Sequence, residues 1–157
     1  MMARIVKYKT KLTENKRVTL DKEISVNYPE IAAIIRSPED AVIIGREFMR
    51  IHEEPEEHMY MICVNNKNRI IGVFEISHGT VNSSIVGVRE IFQKALLANA
   101  VAILLLHNHP SGDPSPSKED IAITKRIVDA GKLIGVEVLD HLIIGDRYIS
   151  LKDKGYI

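Results

Sequence analysis

The chain has one cysteine, Cys63, among 157 residues. A lone cysteine forms no internal disulfide and supplies no multi-cysteine zinc site. A reducing cytoplasm is the simplest setting for it. Net charge is absent too, since 21 Lys and Arg stand against 21 Asp and Glu. That balance argues against a large basic footprint for nucleic acid and leaves room only for a local patch. No apolar run approaches the roughly 18 residues of a membrane span. Met1-Met2-Ala3 leads straight into charged residues, so no signal peptide is expected. Internal repeats and low-complexity tracts are missing. What is there, 45% hydrophobic and 27% charged residues, suits one soluble globular domain.

Residues 1–25 are locally basic. Ile5 to Tyr8 and Arg17 to Leu20 read as short strands around a polar turn. They suit a solvated hairpin or extended arm; a nucleic-acid or partner arm is the sharper alternative, without the aromatic cluster that would support it. Ser37-Pro38-Glu39-Asp40 is a helix start, with Ser37 as cap and Asp40 reaching back. Ala41, Ile44, Phe48 and Ile51 then recur at helical spacing, and Pro55 ends the region. His58 to Val64 and Arg69 to Ile76 predict an antiparallel hairpin around Asn65–Asn68. A helix is expected from Val88 to Ala98, with Ile91, Ala95 and Leu96 inward and Asn99 as its left-handed stop. Val101 to Leu106 has the length and flanks of a buried central strand. Lys118 to Leu133 predicts a helix with an inner stripe of Ile121, Ile127, Val128 and Ile134, ended by Gly135. Strands follow over Val136–Ile144 and Arg147–Ser150. Interleaved helices and strands with hairpins imply an α/β fold, a mixed β-sheet packed with helices.

The chemistry concentrates between that central strand and the helix after it. His107 and His109 are two apart, so on a strand both imidazoles face one side and can share a metal. Pro110 disfavours helical backbone at His109. Gly112, Pro114 and Pro116 make a stiff turn with little ordering entropy left to lose. Ser117 and Asp120 then fall in the first turn of the helix, where its dipole favours a carboxylate. Two histidines and one carboxylate leave a fourth position open, the ligand count of a catalytic zinc. Ser-x-x-Asp alone carries almost no site signal, because Ser37–Asp40 repeats it with no histidine nearby. His-x-His alone is weak as well; the combination through a short Pro/Gly loop is specific.

His107-x-His109, seven residues, then Ser117-x-x-Asp120 resembles the JAMM signature of JAB/MPN metalloproteases. Arg69–Gly72, Gly79–Asn82, Arg89–Phe92, His107–Asp120 and Asp140–Asp146 are similar to the RadC-type JAB domain. The resemblance covers residues 37–157, leaving 1–36 as a short basic N-terminal extension. RadC proteins commonly carry a helix-hairpin-helix region at the front, for which 36 residues are too few. The resemblance implies a cytidine-deaminase-like JAB/MPN fold, a mixed sheet sandwiched by helices. It implies Zn2+ on His107, His109 and Asp120, with Ser117 stabilising a tetrahedral intermediate. It also implies a glutamate base on an early strand, which aligns with Glu57. Strand parity with Met59, Met61 and Cys63 suits Glu57, and Glu75 is the next candidate. The implied reaction is hydrolysis of a peptide or isopeptide bond in a peptide or protein substrate.

Asp140 and His141 form a polar pair on an otherwise apolar strand. Either they bond to backbone, or they stand behind the metal ligands, with Asp140 orienting an imidazole through its second nitrogen. His52, His58 and His78 are expected at the surface. On the resemblance alone, Asn82 and Ser83 are expected to line the cleft. The letters His-Asn-His do not make an HNH nuclease, whose residues are spread over a ββα motif. A zinc deaminase needs Pro-Cys-x-x-Cys, which one cysteine cannot supply. The rival readings are a DNA-associated RadC-like module with a structural or vestigial zinc site, and a scaffold or homo-oligomer subunit. Salt-dependent DNA binding would favour the first rival, whereas metal-dependent amide cleavage would favour the enzyme.

Overall fold

The computed structural model describes residues 1–79 and 86–157. Its elements are β1 (Met2–Leu12), β2 (Val18–Pro29), α1 (Pro38–Glu47), β3 (His58–Val64), β4 (Ile70–His78), α2 (Val88–Leu97), β5 (Ala102–Asn108), α3 (Lys118–Ile134), β6 (Glu137–Ile144) and β7 (Tyr148–Ser150). One seven-stranded mixed sheet runs in the order β2-β1-β4-β3-β5-β6-β7. β5 is buried at all seven positions, antiparallel to β3 and parallel to β6. Alternation along it builds both layers. Ala102, Leu104 and Leu106 join a core that includes Ala41, Val42 and Ile44 of α1. Ile103 and Leu105 join the other, with Ile91 and Phe92 of α2 and Ile123 and Ile127 of α3. The fold is therefore α/β, a mixed sheet sandwiched by helices. By the same period of two, His107 continues the α3 side.

The N-terminal strands are longer than their alternation suggests. β1 and β2 pair over nearly their whole length, and β1 runs parallel to β4 at Lys7–Val73 and Tyr8–Phe74. The hairpin is thus continuous with the sheet, and Ile5 is fully buried. Among the described residues, no helix is long and apolar enough to cross a membrane.

Three local expectations need correction. The helix from Ser37 ends at Glu47 rather than near Pro55. Arg50, at φ 54°, turns the chain into a short 3-10 turn, Ile51–Glu53. In α2 the buried residues are Ile91, Phe92 and Ala95, while Leu96 is exposed. In α3 they are Asp120, Ile123, Thr124, Ile127 and Gly131; of the expected stripe Ile121, Ile127, Val128 and Ile134, Ile127 alone is buried. The physical reason is the same in both places: hydrophobic counting finds an apolar stripe, but packing sets the phase. In α3 two polar residues face inward, and the apolar positions beside them shift to the flank.

Candidate metal centre

His107 lies near the end of β5, His109 follows one residue past the strand's end, and the carboxylate stands in the first turn of α3. Ser117 caps α3: its Oγ accepts from the Asp120 amide at 3.0 Å, and Asp120 Oδ2 accepts from the Ser117 amide at 2.7 Å. This reciprocal box turns the Asp120 side chain back toward β5. The first half of the connecting loop is tied to the end of β6 and the turn after it. The His109 amide donates to Ile144 O at 2.9 Å, and the Asp146 amide donates to Gly112 O at 2.8 Å. Gly112 sits at φ +86°, and a Cβ on Gly145 would lie 2.2 Å from Gly112 O. Two glycines are therefore needed where these loops touch.

His107 Nε2 and His109 Nε2 lie 2.9 Å apart. Asp120 Oδ1 is 3.4 Å from the first, and Oδ2 is 3.5 Å from the second. Two donors about 2.0–2.1 Å from one tetrahedral ion stand about 3.3 Å apart, so these three groups could hold one ion with little movement. His107 and Asp120 are buried and His109 partly so, which leaves one open side.

The hydrogen-bond network assigns the tautomers. His109 Nδ1 lies 2.8 Å from Asp113 O. A carbonyl only accepts, so Nδ1 carries the proton and Nε2 a lone pair. For His107 the assignment passes through two more residues. Thr124 Oγ1 lies 2.5 Å from Asp120 O, which fixes its one hydrogen there. His141 Nδ1, 2.6 Å from the same oxygen, must then donate to it. His141 Nε2 is left as an acceptor, and it takes the proton of His107 Nδ1 at 2.9 Å. His107 Nε2 also ends as a lone pair. Two lone pairs at 2.9 Å beside a carboxylate repel unless a cation joins them, and this donor set fits a divalent metal.

The electrostatics follow. Burial, then the neighbouring His141, pushes His107 well below the ordinary imidazole value. Burial lowers His141 to about 4. Once protonated on Nε2, His109 would donate to Asp120, and this raises its pKa against its burial. Burial opposes ionisation of Asp120, but the bond His109 would donate once protonated, the charge a protonated His107 would carry and the bonds from Ser117 outweigh it and lower its carboxyl.

The remaining expected residues divide. Asp140 and His141 were expected as one pair, and the structure separates them. His141 is fully buried against His107. Asp140 instead accepts from the His141 amide at 2.7 Å, Ser150 Oγ at 2.5 Å and the Lys152 amide at 3.1 Å. It braces the end of β7 and the turn that follows it, and bonds no ligand imidazole, because adjacent strand residues face opposite ways. Glu75 lies on the face away from α3, ion-paired to Lys7. His52 and His78 are exposed, but His58, expected at the surface, is buried. Asn82 and Ser83 lie outside the described residues.

Glu57 immediately precedes β3. Met59 pairs with His107; two steps outward, the antiparallel register brings Glu57 beside His109. Its charge helps raise His109. The middle residue of His-Asn-His, not singled out from sequence, holds this segment. Asn108 Oδ1 accepts from the His58 amide at 2.7 Å, and its Nδ2 donates to Glu56 O at 2.9 Å and Glu54 O at 3.3 Å. Both peptide groups flanking Glu57 are thereby fixed. Thr124 was missed as well; its place one turn after Asp120 was the available signal.

Shallow clefts flank the centre. One of about 440 Å³ is lined by Pro55, Glu56, Glu57, Gly79 and Pro110, and another of about 430 Å³ includes Glu54, Asn108, His109 and Asp146. A larger cavity of about 700 Å³ lies by Val101, Gly135 and Ile157, at the opposite end of α3 from Asp120. It has no group of three close metal donors among the described residues. The chemistry therefore points to the smaller clefts.

A family model described as the RadC-like JAB domain matches residues 35–156. A UPF0758 protein of Desulfitobacterium hafniense (strain DSM 10664 / DCB-2) is 48% identical over 130 residues, 82% of this chain and 56% of that protein. A UPF0758 protein of Bacillus cereus (strain 03BB102) is 52% identical over 124 residues, 78% of this chain and 54% of that protein. The chain spans about half the length of the curated relatives it matches.

Proposed function

The chain belongs to the RadC-like JAB domain family, and from that premise we propose that it is a zinc-dependent hydrolase of peptide or isopeptide bonds. The observation that carries this reading is the pair of His Nε2 lone pairs 2.9 Å apart, closed by the Asp120 carboxylate. His107, His109 and Asp120 would hold the ion. Zinc, when bound, supplies Lewis acidity that polarises a carbonyl and makes water ionise near neutral pH.

The chain's own residues do the rest. Glu57, placed beside His109 and pinned by Asn108, takes a proton from the attacking water. It can return that proton to the leaving amine, so the products are a carboxylate and an amine. Ser117 keeps its hydroxyl hydrogen, since its Oγ accepts from the Asp120 amide, and it can donate to the developing oxyanion. One such bond contributes about 3 kcal/mol in a transition state. The clefts along Pro55–Glu57 and Asn108–Pro110 give an extended backbone a path past the open side of the centre.

Metal analysis of protein purified without chelator, joined to a screen of peptide, isopeptide and small-amide substrates, tests the reading. Glu57→Gln should keep this centre's zinc and lose turnover, and His109→Ala should lose both. Full activity of Glu57→Gln on a confirmed substrate would remove Glu57 as the base. Wild-type protein without stoichiometric zinc would overturn the proposal.

A further inference from the structure

Two histidines and a carboxylate also meet on the sheet face turned away from α3. His58 and His78 are directly paired across β3 and β4, with ring centroids 4.1 Å apart. The register slips between Met59 and Tyr60, so that β4 presents Ser77 and then Glu75 to them. Ile76 drops out of the alternation, and Glu75 swings onto the face of the two histidines. Bulges commonly re-aim a side chain in this way.

His58 is 5% exposed, and its Nδ1 has no hydrogen-bond partner among the described residues. A buried polar nitrogen left so costs about 1–3 kcal/mol. Glu75 Oε1 lies 3.3 Å from this nitrogen without the alignment of a hydrogen bond. That separation matches two donors of one tetrahedral ion, about 3.3 Å apart. One donor atom each from His58, Glu75 and His78 all fall within 4.8 Å of one another. Glu54 Oε2 reaches His58 Nε2 at 3.4 Å, and Glu56 Oε2 reaches His78 Nε2 at 2.6 Å. Lys7 opposes a cation here but lies 3.1 Å from the other oxygen of Glu75, Oε2, leaving Oε1 to the cluster. Three carboxylates outweigh that one ammonium.

We propose that His58, Glu75 and His78 form a second divalent-metal site, back to back with the first across the sheet. Two imidazoles and a carboxylate suit zinc, nickel or copper better than magnesium or calcium. His78 is 58% exposed in its side chain and paired only with the exposed Glu56 among the ion pairs described, so its ring can turn off the stack and into the coordination sphere by giving up that exposed pair. An ion there ties β4 to the segment that carries Glu57, because His58 follows Glu57 directly. Occupancy of this site would then stiffen the segment from the side opposite Asn108. The proposal stands apart from the hydrolase reading, since it uses none of His107, His109 or Asp120.

Titration of the chelator-stripped full chain with zinc, against a chromophoric competitor, tests it. Wild type should take two equivalents. His78→Ala, which removes an exposed side chain, should take one, and so should His109→Ala. The double variant should take none with comparable affinity. Overturning results are a single equivalent in wild type that His109→Ala abolishes, or two equivalents retained by His78→Ala. If instead wild type takes only one equivalent, lost in His78→Ala and kept in His109→Ala, this site stands and the first centre fails.

Discussion

Replacing Thr124 by valine removes one oxygen from the floor of the metal centre and leaves its shape nearly unchanged. That oxygen has two tasks. Its hydrogen goes to Asp120 O at 2.5 Å, and its lone pair takes the His141 Nδ1 proton at 2.6 Å. In Thr124→Val the buried Nδ1–H loses its acceptor, at a cost of about 1–3 kcal/mol. His141 can escape that cost only by moving its proton to Nε2. It would then donate to His107 Nδ1, and the His107 proton would shift to Nε2, into the place of the metal. Either way the metal-competent arrangement rises in energy. Partners of this kind change metal affinity by about 10–100-fold. Competition titration with a chromophoric chelator, on Asp120-side metal resolved by comparison with His109→Ala, should show a loss in that range. Thr124→Ser, which keeps the hydroxyl, should restore most of it. Unchanged affinity in Thr124→Val, with the fold intact, would refute the proton assignment from Thr124 through His141 to His107.

Two further outcomes are expected. Asn108→Ala should free the segment around Glu57, which Asn108 holds at His58 N, Glu56 O and Glu54 O. Hydrogen exchange at the His58 amide should quicken while the amides of β5 stay protected, and metal should still bind; an unchanged rate at His58 would contradict the clamp. Stability of the metal-free protein should fall with acid. His141 drops from 6.5 to about 4 on folding, so below pH 6.5 the unfolded chain binds the proton first. That contribution is complete above pH 6.5 and is lost as pH falls toward 4, about 3 kcal/mol in all. His107 and Asp120, both lowered, act in the same direction. His109 is raised, so its smaller contribution is present below pH 6.5 and fades as pH rises through its folded value. Urea midpoints at pH 7.5 and 4.5 check this, and equal midpoints would overturn it.

The parts of the site that lie close in sequence were legible from it. His107 ends the strand's inner face and His109, one residue past the strand, turns to the same side, Pro110 to Pro116 form a rigid link, and Ser117 with Asp120 form a helix cap. Each is a short-range property of backbone geometry, and each appears where the spacing puts it. The α/β class was legible for the same reason, because the periods of strands and helices are local.

Less legible was anything that depends on phase or register. The inner face of α3 was misjudged, because Asp120 and Thr124 interrupt the hydrophobic pattern that marks a buried stripe. Asp140 and His141 looked like one polar pair, and only the strand's alternation sent one to Ser150 and the other to His107. His58 looked like a surface histidine, though β3 is buried from end to end.

The sequence by itself determined which chemical groups are available and which neighbours each one keeps: two imidazoles, a capping serine and carboxylate, a stiff loop between. Tertiary structure alone decided the long-range partnerships. The β3–β5 register brought Glu57 to His109, β6 placed His141 behind His107, and a bulge in β4 turned Glu75 toward His58. Such contacts join residues on or beside different strands, far beyond the reach of local spacing. Their energies depend on how the whole sheet is ordered and on one-residue slips that reverse every side chain, which no local pattern encodes.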